Sequence, residues 1–113
     1  MQDDIEEFLA SSRSLNNDIF SLTRLELLIL IHYSIEGVQF RELKATLGIS
    51  DGNLKSNLSK LESLKYIERS EVVMDNKTLS SYTLTDQGSK EVEKIMQWMK
   101  VAIKLGEVAC SRI

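Results

Sequence analysis

The sequence predicts an α+β fold, mainly α-helical with a single β-hairpin ahead of a long final helix. Three observations lead there. Leu22 to Ile31 is apolar nearly all round, the pattern of a helix buried on most sides. After Tyr66 and Ile67 the apolar period falls from about 3.6 to about 2, the change from helix to strand. From Val92 onward, apolar or small residues recur in steps of three and four. With 113 residues the chain has room for one domain around one core.

The elements follow in order. Ile5, Phe8 and Leu9 stand at helical spacing, and Asp3, Asp4, Glu6 and Glu7 suit the positive end of a helix dipole, so a short helix is expected from Asp3 to about Ser14. Thr23 and Glu26 have capping-box spacing and open the central helix. Gly37 lies just beyond it, where a C-terminal cap belongs. Phe40 to Leu47 makes a short helix with Phe40, Leu43 and Leu47 on one face, closed by Gly48. Ile49 turns into the core, and Ser50 caps the next helix. That helix places Leu54, Leu58, Leu61 and Leu64 on an inner stripe. Its other side carries Gly52, Lys55, Ser56, Ser59, Lys60 and Ser63, with Asn53 on the flank. Two strands, RSEVVM and LSSYTL, then flank a turn at Asp75, Asn76 and Lys77. Thr85 caps the last helix. The expected division is one domain over 1–113: an N-terminal helix and loop (1–20), a core (21–85) and a C-terminal helix (86–113). This order is the layout of a winged helix-turn-helix, with the hairpin as the wing.

Charge is unevenly spread beneath a formal total of −3. Residues 1–40 hold seven acidic and two basic side chains, a balance of −5, whereas residues 41–69 hold four and six, a balance of +2. The basic excess therefore coincides with the helix-turn-helix, which is compatible with phosphate contacts. The longest strongly apolar run, Leu27 to Ile31, is far too short for a membrane span, and the acidic start MQDDIEEFLA does not resemble a secretory signal. A cytoplasmic protein is expected. One cysteine, Cys110, excludes a disulfide within the chain. It reads as a passive small residue, with an intersubunit disulfide as the alternative.

Residues 40–68, FRELKATLGISDGNLKSNLSKLESLKYIE, resemble the core of the MarR/ArsR-like winged-helix transcriptional regulators, above all the short prokaryotic and archaeal branch whose turn reads L-G-I-S-x-G-N-L. Residues 80–88, SSYTLTDQG, are similar to that family's second wing strand and the start of its following helix. The likeness spans roughly residues 22 to 100 and implies a homodimeric DNA-binding regulator. The positions matching the family's DNA-facing ones are Ser50, Asp51, Gly52, Asn53, Lys55, Ser56, Ser59 and Lys60. The chain departs from the pattern at the wing tip. Many relatives are basic there, but Met74-Asp75-Asn76-Lys77-Thr78 offers Lys77 as its only cation.

The recognition helix, about residues 50–64, has chemistry suited to the major groove of double-stranded DNA. Gly52 permits close backbone approach, Asn53 offers a donor and an acceptor to an adenine edge, and Lys55 and Lys60 reach guanine or phosphate. Ser56 and Ser59 add short hydrogen-bonding groups, while Asp51 would repel phosphate. Arg41, Lys44, Lys65 and Arg69 suit either phosphate contact or a salt-bridged surface. In the last helix, Val92, Ile95, Met99, Ala102, Gly106, Ala109 and Ile113 form a heptad seam, read as a dimer interface. The alternative is that the seam covers the domain's own core. His32 is expected to be a hydrogen-bonded core or interface residue. No cofactor, metal site or enzymatic activity is expected. A small-molecule effector between the dimer helix and the central helix remains open, as does a second functional class, a winged-helix protein-interaction module without DNA binding.

Overall fold

A computed structural model describes residues 2–111. Its elements run α1 (Gln2–Arg13), a 3-10 turn (Asn17–Ile19), α2 (Leu22–Tyr33), β1 (Val38–Gln39), α3 (Phe40–Leu47), α4 (Asp51–Ser63), β2 (Ile67–Met74), β3 (Lys77–Leu84) and α5 (Asp86–Cys110). The expected α+β winged helix-turn-helix with a long C-terminal helix is what the chain forms.

Leu27, Leu28 and Ile31 of α2 sit at the centre of the core, where Leu43 of α3, Leu54, Leu58 and Leu61 of α4, Ile67 of β2 and Val92 and Ile95 of α5 close around them. The α3–α4 turn forms as its sequence dictates. Gly48 takes the left-handed conformation (φ 64°) and donates its N–H to the Lys44 carbonyl, and Ile49 packs against the core. The Ser50 hydroxyl accepts from the Asn53 N–H at 3.2 Å.

Asp75 and Asn76 both have positive φ (52° and 62°), which gives a two-residue hairpin turn whose twist matches its strands. The register runs from Met74 opposite Lys77 to Ile67 opposite Leu84. The hairpin is part of a three-stranded antiparallel sheet in the order β1-β3-β2, since Val38 and Gln39 pair with Tyr82 and Ser81. Strand β1 is absent from the sequence-based expectation, because two residues leave no periodic trace.

Three local expectations are corrected. The α2 cap is Ser21, which accepts from the Arg24 N–H at 3.1 Å; the helix starts at Leu22, so Thr23 already lies inside it. Gly37 is not the cap of α2, which ends at Tyr33 with Ser34 after it. It occupies the turn into β1 with φ +99°, and a Cβ there would come within 2.8 Å of Ser81 Oγ. His32 is exposed, which corrects the core half of its expectation.

At the junction of wing and α5, Thr85 donates its N–H to the Tyr66 carbonyl and its hydroxyl to the Lys65 carbonyl, while that hydroxyl accepts from the Gly88 N–H. Gly88 packs so closely that a Cβ would collide with the Tyr66 carbonyl oxygen. The Thr-x-x-Gly spacing therefore has a packing cause. Nearby, the buried Glu91 carboxylate accepts from the Asn16 N–H at 2.9 Å and from the Tyr66 hydroxyl at 3.4 Å. Burial, more than this carboxylate, pushes the Tyr66 phenol above its ordinary pKa.

Helix α1 runs antiparallel along the outer part of α5. Trp98 Nε1 donates to Ser12 Oγ at 2.9 Å, and Lys104 lies 3.5 Å from Asp4 and 3.8 Å from Glu7. Val101 is buried on this side. The pair draws the molecule out to 60 × 27 × 23 Å.

Candidate nucleic-acid interface

Helix α4 is fixed from one side by Leu54, Leu58 and Leu61, all essentially inaccessible. Its opposite strip, Gly52, Ser56, Ser59 and Ser63, is exposed, and Lys55 lies exposed on the flank towards the wing. Gly52 has open space where a Cβ would stand, so its backbone is approachable. The strip combines small size, hydrogen-bonding groups and free helix N-terminal amides, a surface that suits a base edge or a phosphate.

Asp51 is engaged. Its carboxylate is 2.8 Å from Lys44 Nζ. The hydrogen bond and attraction of Lys44, with a smaller pull from Lys55, hold the Asp51 carboxyl below its ordinary pKa. Both groups of the pair are about half exposed or more, so it orients side chains more than it stabilises the fold. Lys60 departs from the expected strip. It lies on the other flank, 3.8 Å from Asp18 in the 3-10 turn.

Two contributors on that flank, Arg24 and Asn57, are not among the residues expected from sequence. Arg24 Nε donates to Asn57 Oδ1 at 3.1 Å, and Asn57 Nδ2 donates to the Asn53 side-chain oxygen at 2.6 Å. The i, i+4 spacing of Asn53 and Asn57 is visible in the sequence, but the reach of Arg24 across from α2 is not.

Between α4 and the wing lies a groove of 440 Å³, lined on one side by Lys55, Ser59 and Glu62 and on the other by Arg69 and Ser80, with Arg41 also contributing. Tyr82 stands in it, its pKa raised first by burial and then by the Glu62 charge. Arg41 Nε donates to Gln39 Oε1 at 2.9 Å. The wing beyond is exposed: Lys77 lies at its tip beside Val73 (73% exposed) and Met74.

The seam of α5 divides in two. Val92 and Ile95 are buried in the chain's own core and offer no surface to a second chain, a correction for these two positions. The reason is that the first turns of α5 cover α2 and the sheet. Met99 and Ala102 are half-buried, whereas Gly106 and Ala109 are exposed, with Ile103 61% exposed beside them. Ile113 lies outside the described residues. No helix among the described residues is long and apolar enough to cross a membrane.

The arrangement defines a class: a helix-turn-helix with its second helix outward-facing and a β-hairpin wing alongside. Residues 23–103 match the winged helix DNA-binding domain family, and the chain belongs to it. It is 32% identical over 68 residues to uncharacterized protein MJ0432 of Methanocaldococcus jannaschii, covering 60% of this chain and 73% of that one. Its fold is similar to a transcriptional regulator homologue from Pyrococcus horikoshii (TM-score 0.72, 20% identity, 90% of this chain and 95% of that one). It is likewise similar to YusO from Bacillus subtilis (TM-score 0.69, 18% identity, 96% and 72%). A mutant of MepR from a multidrug resistant S. aureus clinical isolate shares the fold too (TM-score 0.66, 18% identity, 99% and 79%).

Proposed function

We propose that the protein is a sequence-specific transcriptional regulator that binds double-stranded DNA as a homodimer, with α4 in the major groove and the wing beside it. The observation that carries this reading is the outer strip of α4: Gly52, Ser56 and Ser59, flanked by Lys55, stand exposed on a helix held rigidly by three buried leucines. Small side chains allow close approach, and the lysine supplies charge for phosphate. Arg41 and Arg69 extend the cationic surface into the groove beside the wing. Family membership supports DNA as the partner.

A second copy would lie along the outer part of α5. Ile103, Gly106 and Ala109 on α5, together with Ile5 and Leu9 on α1, are exposed apolar or small residues on the pair of helices that projects from the core. A two-fold pairing there would set two recognition helices about one DNA turn, roughly 34 Å, apart on a pseudo-palindromic site.

The test is fluorescence anisotropy with duplexes enriched from a random pool, repeated with Lys55→Glu. Wild-type affinity should fall steeply as salt rises, and Lys55→Glu should weaken binding about tenfold or more. A rival reading, a protein-interaction module, draws on the apolar wing, where Val73 and Met74 are exposed and Lys77 is the one cation in residues 74–78. In that case Val73→Asp would abolish partner binding while Lys55→Glu would leave it intact.

A further inference from the structure

The polar chain running from the 3-10 turn to α4 bears on which base the recognition helix prefers. Its direction is set at Arg24, because a guanidinium donates hydrogen bonds and accepts none. Arg24 Nη1 donates to the Asp18 carbonyl at 2.7 Å, which anchors the group. Its Nε donates to Asn57 at 3.1 Å, so the Asn57 atom on that side is the oxygen and its amino group faces the other way. That amino group donates to the Asn53 main-chain oxygen at 2.9 Å and to the Asn53 side-chain oxygen at 2.6 Å. The orientation of Asn53 follows. Its side-chain oxygen is turned back against its own helix, and its amino group is the part left to meet a base on the exposed first turn of α4.

Building on the DNA-binding reading above, we propose that Arg24 and Asn57 are positioning residues that fix Asn53 as a hydrogen-bond donor, so that α4 selects guanine over adenine where Asn53 meets the major groove. Guanine presents two acceptors, N7 and O6, which an amino group can satisfy. Adenine presents the N7 acceptor and the N6 donor, and a bidentate contact to it needs the asparagine oxygen that Asn57 already holds.

The substitution Asn57→Asp inverts the side-chain part of this chain. A carboxylate keeps the Arg24 bond, gives up the bond to the Asn53 main-chain oxygen and turns an acceptor towards the Asn53 side chain, whose amino group then swings inward and whose oxygen faces out. The added negative charge lowers affinity for all sequences alike, so base preference is the readout that a charge or packing effect leaves unmoved.

The experiment is selection from a randomised duplex pool with wild type, Asn53→Ala, Asn57→Asp and Asn57→Ala, with thermal unfolding of each. Asn53→Ala identifies the base pair by flattening preference there. At that pair, wild type should favour guanine over adenine roughly five- to tenfold. Asn57→Asp should shift the preference to a base with an exposed amino group, cytosine or adenine. If Asn57→Asp does not fold, Asn57→Ala serves, because it frees both orientations of Asn53 and should bring the guanine-to-adenine ratio near one. An adenine preference in wild type, an unchanged guanine preference in both Asn57 variants, or no position flattened by Asn53→Ala overturns the proposal. A wild type that enriches no sequence at all overturns the DNA-binding reading instead.

Discussion

Asp51 opposes the function proposed for the helix it begins. It sits in the first turn of α4 and holds Lys44 at 2.8 Å, so one carboxylate both repels phosphate and occupies a lysine. Asp51→Asn should therefore tighten DNA binding severalfold and steepen the dependence of log affinity on log salt by about one unit, measured by anisotropy over a salt series. An unchanged slope would place Lys44 away from the DNA. The pH dependence has a defined sign. Lys44 lowers the carboxyl pKa in the folded protein, so the small stability contributed by the pair is complete above the ordinary carboxylate pKa of the unfolded chain and is lost as pH falls through the lowered folded value. Chemical denaturation midpoints of wild type and Asp51→Asn should accordingly converge at the acid end. Gly88 makes a purely steric demand at the same scale. Gly88→Ala forces a methyl into the Tyr66 carbonyl and should cost about 1–3 kcal/mol in urea unfolding; a neutral result would mean that α5 can back away from the wing.

Among the elements, α4 depends on its inner leucines more than on its own helix propensity, since Gly52, Asn53, Asn57 and three serines make it a poor helix former. Leu58→Ala should cost about 2–5 kcal/mol and disorder the outer strip along with the core, which circular dichroism and urea titration would show together. The elements readable from sequence are those with a local cause. The leucine stripe of α4, the Gly48 and Ser50 caps, the Asp75–Asn76 turn and the Thr85 cap all arise from residues a few positions apart. The features that escape a sequence reading depend on contacts far apart in the chain. They include the short β1, the packing of Gly37 on Ser81, the burial of Glu91 against Asn16 and the reach of Arg24 to Asn57. The candidate interface shows the same split. Lys55 and the Gly-Ser strip are legible from helical spacing, whereas the turning of Lys60 to Asp18 is not.

At the scale of the whole molecule, α1 and the outer part of α5 form an antiparallel arm that projects from the winged-helix core. If that arm is the dimer surface, Ile103→Glu should halve the mass seen in sedimentation velocity and leave the urea midpoint of the monomer nearly unchanged, because Ile103 is 61% exposed and outside the core. The same variant should reduce occupancy of a two-half-site duplex much more than that of a single half-site. DNA reading by α4 is tested most directly by a titration of wild type and Lys55→Glu onto a random duplex pool across a salt series. A DNA-reading α4 should give an enriched, two-fold-symmetric sequence, affinity that falls steeply with salt, and a shallower slope with weaker binding in Lys55→Glu. Affinity indifferent to salt, no enriched sequence and no difference between the two proteins would contradict it.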